Sequence, residues 1–224
     1  MDIKRYGILP WGLYYINRLL SKLTDAVSIE HFYLFAIPVN NKDRIKVPSF
    51  IKKNYTITKI KQHHPLLGYF STPKWTLDFR FEQKTECLIL IKKEDPVGLI
   101  WLAGPTYNED VAFFTIRLEK DTAWDFDLVI REKYRKSPAF AVLWEHIFDY
   151  LKARKIKWIY SRINAMNIES LNIHKKYKGR ILQQFIFVKF RKTQWCVDFK
   201  DKRISNHTGS SRKIITPAFK NASI

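Results

Sequence analysis

The residues best suited to chemistry lie in a basic turn at the start of a helix. Arg135, Lys136, Ser137 and Pro138 precede Phe140, Leu143, Trp144, Ile147 and Leu151, which recur at helical spacing. Ser137 suits an N-cap and Pro138 a first helical residue. The amides at such a start, from Ser137, Ala139, Phe140 and Ala141, converge, and Arg135 and Lys136 add positive charge beside them. Together they would hold phosphate oxygens, because orphan N–H groups and the helix dipole both favour an anion. The same residues also make an ordinary capped helix with surface cations. Just upstream, Asp125 and Asp127 alternate with apolar neighbours, which puts both carboxylates on one face of a strand over 123–130. Downstream, Asn167, Ser170, His174 and Lys176 fall on a second helix.

These side chains need elements to position them. Between residues 123 and 190 the order is strand, basic turn, helix, strand, helix, strand: a βαβ unit with an added αβ. Upstream, ECLILI (86–91) and VGLIWLA (97–103) flank a tight KKEDP turn and predict a hairpin. NYTITKIK (54–61) predicts a half-buried strand, 111–118 another, and HHPLLGYF and PKWTLDFRFEQK short helical pieces or loops. A helix is expected from Pro10 to Asp25, with Leu13, Ile16, Leu20, Leu23 and Val27 on one face and Arg18, Ser21, Lys22 and Asp25 largely opposite. It either packs on the domain or lies at a membrane surface through Trp11, Tyr14, Tyr15 and its basic residues. The run HFYLFAIPV (31–39) reads as a buried strand stopped by Pro38 and the polar NNKDR. The organisation expected is an N-terminal extension over 1–50, a principal domain over 51–199 and a basic, mobile tail over 200–224.

Forty Lys and Arg against 21 Asp and Glu give the 224-residue chain a net charge of +19, which attracts anionic partners. The basic residues are spread along the whole length rather than gathered on one element with aromatics, which argues against nucleic-acid binding, kept as an alternative. No apolar run reaches the roughly 20 residues of a membrane span, and MDIKRYGILPWG lacks a secretory core, so a cytoplasmic location is expected. Cys87 and Cys196 sit in apolar strand-like runs and read as buried free thiols. Adjacent His63 and His64 point to opposite faces, so no metal site is expected. There is no nucleophile elbow, P-loop or dinucleotide fingerprint.

The stretch YRKSPAFAVLWEHIFDYLKARKIKWIYSRINAMNIESLNIHKKYKG resembles the GNAT superfamily of N-acetyltransferases. There a strand leads to Arg/Gln-x-x-Gly-x-Gly/Ala, a helix, a second strand, and a helix with Asn-x-x-Ser/Ala-x-x-x-Tyr-x-Lys-x-Gly. Asn167, Ser170 and Lys176 match the second pattern, with His174 in the tyrosine position and Gly179 displaced by one residue. Arg135 matches the first, but Pro138 and Phe140 replace its glycines, removing one donor and adding bulk. Covering roughly residues 54–195, the resemblance implies an α/β fold. Its mixed, largely antiparallel sheet would have a splayed parallel strand pair, here 123–130 and 157–163, flanked by helices.

The resemblance also implies acetyl-CoA or a longer acyl-CoA as donor, or an acyl-carrier protein drawn to the basic surface. A small-molecule amine would attack directly. Backbone groups of Leu128, Val129, Ile130 and Arg131 would pair with the pantetheine and polarise the thioester. Arg135, Lys136, Ser137, Ala139 and Phe140 would hold phosphate, while Asn167 and Ser170 would touch the cofactor or cap their helix. Asp127, ahead of Asp125 and Glu86, would be the base. His174, with a reference pKa of about 6.5, would protonate the leaving thiolate. Within the superfamily, SRINAMNIESLNIHKKYKGRILQQFIFVKF is most similar to members linked to cell-surface polysaccharide or envelope synthesis. That implies an amino sugar or envelope amine as acceptor and peripheral recruitment to the inner membrane face through the N-terminal helix. The lost glycines leave a catalytically inert binding module as the alternative.

Overall fold

The computed structural model describes residues 7–40, 46–110, 112–208 and 210–217. In chain order the elements are α1 (Ile8–Leu23), β1 (Val27–Pro38), α2 (Ser49–Lys52), β2 (Thr56–Ile60), α3 (Lys74–Glu82), β3 (Glu86–Lys92), β4 (Asp95–Ala103), β5 (Thr106–Asn108), β6 (Phe114–Arg117) and β7 (Thr122–Ile130). They continue with α4 (Ala139–Ala153), β8 (Trp158–Asn164), α5 (Ile168–Lys176), β9 (Arg180–Phe190), β10 (Thr193–Asp198), β11 (Arg203–Thr208) and β12 (Lys213–Ile215). Short 3-10 turns occupy Pro65–Tyr69 and Glu132–Tyr134. Two compact units result: Met1–Ile37 with Val111–Arg117 and Tyr160–Ile224, and Pro38–Asp110 with Leu118–Ile159. The fold class is the one expected, mixed α/β with a large, mostly antiparallel sheet and helices; the parallel pair formed by β6 and β12 is a different one from the 123–130 and 157–163 strands that the resemblance implies.

The second unit holds β2, β3, β4 and β7, antiparallel and paired in that order. The β3–β4 hairpin forms where the apolar runs flank KKEDP. Lys92 pairs with Asp95, and Lys93 and Glu94 between them both have positive φ (48° and 68°), as a type I′ turn requires. On α4, Val142, Leu143, Trp144, Ile147, Phe148 and Leu151 are each no more than 1% exposed, and the helix packs on β4. Burying each of these side chains contributes roughly 1.5–3 kcal/mol. Phe140, expected on this face, is only half-buried; the stripe runs through Val142 and Phe148 instead.

Gly98 of β4 lies opposite Ile130 of β7. A Cβ there would meet Ile130 Cδ1 at 2.5 Å and the Val129 carbonyl oxygen at 2.7 Å, so the close approach needs glycine. Just beyond, the ladder slips. Leu99 pairs with Val129 and Trp101 with Phe126, so Asp127 and Leu128 together face Ile100, and Asp127 takes a φ of 49°. This is a β-bulge, which bends the strand and re-aims a side chain.

The first unit holds antiparallel β1, β9, β10 and β11, with β6 and β12 as a parallel pair. Phe32, Phe114, Phe185 and Phe187 form its aromatic core, with ring contacts of 5.2–5.7 Å. Phe35, Ile163 and Leu171 form a second cluster beside α5. The stretch after Phe199, read from sequence as a tail, contains β11 and β12. Its polar RISNHT carries no apolar period because neither face of β11 is buried, every residue being exposed or half-buried. β1 begins at Val27, earlier than expected, and α1 at Ile8. Parts of the NNKDR, 111–118 and tail segments (41–45, 111, 209, 218–224), with 1–6, lie outside the described residues. Cys87 and Cys196 are free and buried, as expected, and burial pushes both thiols up to about 12. Among the described residues, no helix is long and apolar enough to cross a membrane.

Gly98→Ala is therefore expected to destabilise the chain by about 1–3 kcal/mol in urea unfolding. Gly104→Ala, whose new Cβ meets nothing within 4 Å, should stay within about 0.5 kcal/mol of wild type.

Candidate active site

The bulge opens onto a cavity of about 740 Å³ in the second unit. Asp127, Val129 and Ile130 form one wall, residues 69–72 another, and Arg131 and Arg135 lie along the edge. The Asp127 side chain is 33% exposed and accepts a 2.5 Å hydrogen bond from the Arg80 guanidinium. Arg80 is only 6% exposed. It also donates to Asp110, from Nε at 2.8 Å and Nη2 at 2.7 Å, and lies 5.2 Å from the rings of both Trp101 and Phe126. Burial opposes the guanidinium charge, but Asp127 and Asp110 outweigh it and raise the Arg80 pKa.

Phe126 and Asp127 are consecutive, yet both meet Arg80. Alternation is therefore broken at the bulge, and the expected shared face of Asp125 and Asp127 gives way: Asp125 is buried at 5% exposure, while Asp127 borders the cavity. Glu86, the other carboxylate considered as a base, sits elsewhere. It is held by Lys59 at 2.5 Å, Tyr150 at 2.9 Å and Arg154 at 2.5 Å. Burial would raise its pKa, but these bonds outweigh it and lower it.

The backbone expected to meet a pantetheine is partly committed. The Arg131 amide donates to the Val97 carbonyl at 2.9 Å, correcting its assignment as a free donor. By the alternation of an antiparallel ladder, Val129 also faces β4 and the Ile130 amide faces the opposite strand edge. The Arg131 guanidinium donates to Asp95 at 2.5 Å and to the Pro96 carbonyl at 2.6 Å, and lies 5.0 Å from the Tyr69 ring. Asp95 also accepts from Lys133 and from Tyr134. The bonds from Lys133, then Tyr134 and Arg131, hold its carboxyl well below the usual range.

The basic turn is partly self-satisfied. The Ser137 amide donates to the Tyr134 carbonyl at 3.0 Å. Its hydroxyl donates to the same carbonyl at 2.7 Å and accepts from the Ala139 amide at 3.2 Å. Two of the four amides expected to cradle phosphate, Ser137 and Ala139, are thus engaged within the turn. Phe140 and Ala141 precede the first intrahelical bond, Val142 N–H to the Pro138 carbonyl at 3.0 Å, and keep the helix-start geometry that suits an anion. Arg135 donates to the Ile130 carbonyl at 3.5 Å, and Lys136 lies exposed beside it.

The remaining predicted residues belong to the first unit. Asn167 Oδ1 accepts from the Ser170 amide at 3.0 Å, so Asn167 caps α5. His174 is 5% exposed, edge-on to Phe35 at 5.6 Å, with Nδ1 2.7 Å from the Ser170 carbonyl. Burial lowers its pKa to about 4, the Ser170 carbonyl opposing weakly. The imidazole is therefore neutral at pH 7, and the imidazolium donor expected from the sequence gives way to a core histidine. Gly179 explains its displacement from the motif: its amide donates to the His174 carbonyl at 2.8 Å, and a Cβ there would sit 2.7 Å from that oxygen. Among the described residues, no group of three His, Cys, Asp or Glu is placed to hold a metal; His64 accepts from the Leu66 amide at 3.2 Å.

The sequence reading missed Arg80, Asp110 and the wall at 69–72. All fall in the loops at 62–85 and 104–122, from which the sequence leads one to expect the acceptor pocket, but where no periodicity marks one arginine as buried.

No protein-family model and no curated protein matches the chain. Among solved structures it is similar to a functionally unknown conserved protein from Staphylococcus epidermidis, at 11% identity and a TM-score of 0.48, over 78% of this chain and 67% of that one. It is similar to a putative acetyltransferase of the GNAT family from Novosphingobium aromaticivorans, at 10% identity and 0.46, over 74% and 66%. A GNAT family acetyltransferase from Elizabethkingia anophelis with acetyl-CoA bound matches at 16% identity and 0.41, over 55% and 74%. The chain thus spans about two thirds of the length of the first two. None of the three reaches a TM-score of 0.5, so these likenesses carry no argument about activity.

Removing Arg80 strands the buried Asp110 carboxylate, so Arg80→Met is expected to cost about 3–5 kcal/mol in urea unfolding. Between about pH 4 and pH 6.5 an unfolded chain binds a proton at His174 that the folded chain refuses. Stability should therefore fall as pH drops through that window, by up to about 3 kcal/mol for this residue. His31, also buried and lowered to about 4 by burial, adds a similar share. His174→Gln should remove about 2 kcal/mol of the difference between unfolding free energies at about pH 7 and about pH 4.5, the remainder coming from His31 and from His146 and His207, whose pKa values burial also lowers.

Proposed function

We propose that the chain is an acyl-CoA-dependent N-acyltransferase of the GNAT type, with acetyl-CoA the simplest donor and a small amine as acceptor. The observation that carries this reading is the bulge of β7, which sets the Asp127 carboxylate and the strand end Val129–Arg131 on one cavity, with Arg135 of the turn that leads to α4 at its edge. The residues present fit such a cofactor. Phe140 and Ala141 amides with the Arg135 and Lys136 side chains would hold its phosphates, and Leu128 and Ile130 backbone groups its pantetheine arm. When bound, it supplies an activated acyl thioester. Asp127 accepts a proton from the acceptor amine as the nitrogen becomes nucleophilic, and Arg80 keeps that carboxylate oriented. The wall at 69–72 shapes the acceptor side. An amino sugar or envelope-related amine as acceptor rests on the sequence resemblance alone.

A second reading has its own observation. Ser137 satisfies the turn internally and Pro138 supplies no N–H, as in a fold kept for binding without turnover. Titration calorimetry with acetyl-CoA and longer acyl-CoAs, paired with a thiol-release assay across an amine panel, separates the two. The transferase reading expects saturable acyl-CoA binding, with Asp127→Asn binding as wild type but turning over at least about 100-fold more slowly. Absence of binding by every acyl-CoA would overturn it in favour of the inert module.

A further inference from the structure

A helix on a protein surface normally turns its apolar face inward and its polar face to water. Helix α1 departs from this, because part of its apolar surface faces water as well as its charged residues. Its inward side is pinned by buried Pro10 and by Asn17, whose Oδ1 accepts the Ile29 amide of β1 at 2.7 Å. At 100° per residue, Ile8, Leu19, Leu23, Ile16 and Leu9 fall within one arc of about 100° on the other side. All five are exposed: Ile8 80%, Leu9 44%, Ile16 49%, Leu19 62% and Leu23 82%. The face expected from sequence to pack therefore splits, with Leu13 and Leu20 half-buried and Ile16 and Leu23 facing water.

The chemistry around the stripe indicates what covers it. The 16 residues of α1 include no Asp or Glu, and Arg18 and Lys22 follow one another along one border of the stripe, next to Trp11 and Tyr15. Trp11 and Tyr15 pack together at 4.6 Å and Tyr14 and Tyr15 at 5.5 Å, placing amphipathic rings where apolar and polar surfaces meet. A straight aliphatic stripe about 24 Å long, flanked by cations and aromatics, suits a plane rather than a groove. We infer that α1 is an interfacial anchor which lays Ile8, Leu9, Ile16, Leu19 and Leu23 into an anionic lipid bilayer, with Arg18 and Lys22 at the headgroups. A second copy of the chain is the poorer occupant, because it would bring like charge, +19 on each, to a helix that has no carboxylate to offset it. This inference stands apart from the acyltransferase reading and does not depend on it.

The test is flotation of the full chain with phosphatidylcholine vesicles and with phosphatidylcholine–phosphatidylglycerol vesicles at roughly two to one, at low and at about 0.15 M salt. Wild type is expected to float with the anionic vesicles at both salts and only weakly with the neutral ones. The double variant Leu19→Glu, Leu23→Glu should lose at least about tenfold in partitioning, and Arg18→Glu, Lys22→Glu should weaken the preference for anionic lipid. All four side chains lie outside the buried core, and circular dichroism of each variant confirms that it is folded. Failure of wild type to float with anionic vesicles overturns the proposal. So does equal flotation of Leu19→Glu, Leu23→Glu, which would reduce binding to unspecific adsorption of a basic protein. A dimer seen by sedimentation velocity that this variant dissolves, without lipid binding, overturns it in favour of a second copy.

Discussion

Arg80 carries its charge into a part of the second unit where an isolated ion would be driven out, and it stays because Asp110 and Asp127 close on it from two sides. The guanidinium lies 5.2 Å from the rings of both Trp101 and Phe126, so its position is fixed by packing as well as by charge. That fixes three elements at once: α3 through Arg80 itself, the end of the β5 segment through Asp110, and β7 through Asp127. Asp127 can hold a left-handed backbone because its carboxylate is bonded in that geometry, and the bulge it creates turns the strand end toward the cavity.

The two ends of the candidate site differ in how their polar groups are satisfied. Along β7 the bulge interrupts the ladder and leaves backbone facing away from β4. At the start of α4 the chain bonds to itself, with Ser137 serving as both donor and acceptor and Tyr134 taking two bonds at one carbonyl. A ligand phosphate there must rely more on side-chain cations and on the two amides that follow Pro138 than on a full ring of main-chain donors.

Much of this architecture is legible in the sequence wherever a local pattern and the tertiary outcome agree. ECLILI and VGLIWLA around KKEDP could hardly avoid a hairpin, the spacing of Leu143, Ile147 and Leu151 gives α4, and Asn167 three residues before Ser170 marks a helix start. The bulge was hidden because WDFD alternates as a regular strand would and Asp127 is not a glycine. The neutrality of His174 was hidden because NIHKKYKG looks like a charged, exposed helix end, and only its packing against Phe35 removes the imidazole from water. β11 escaped because neither of its faces is buried, so no apolar alternation is needed. Arg80 escaped because a single arginine among LDFRFEQK reads as solvated.

The hairpin tip has one more effect. By engaging Arg131 and Lys133 together, Asp95 absorbs much of the positive charge that lines the cavity, where three cations already face the carboxylates of Asp127 and Glu132. A chain with a net charge of +19 thus carries an open cavity whose side chains, with Asp95 counted, come close to balance in charge. The long-range field would draw an anionic molecule to the protein from a distance, but the cavity would choose among arrivals by shape and hydrogen bonding. Salt would slow the approach and would also weaken the hold of the exposed Arg135 and Lys136 on a phosphate.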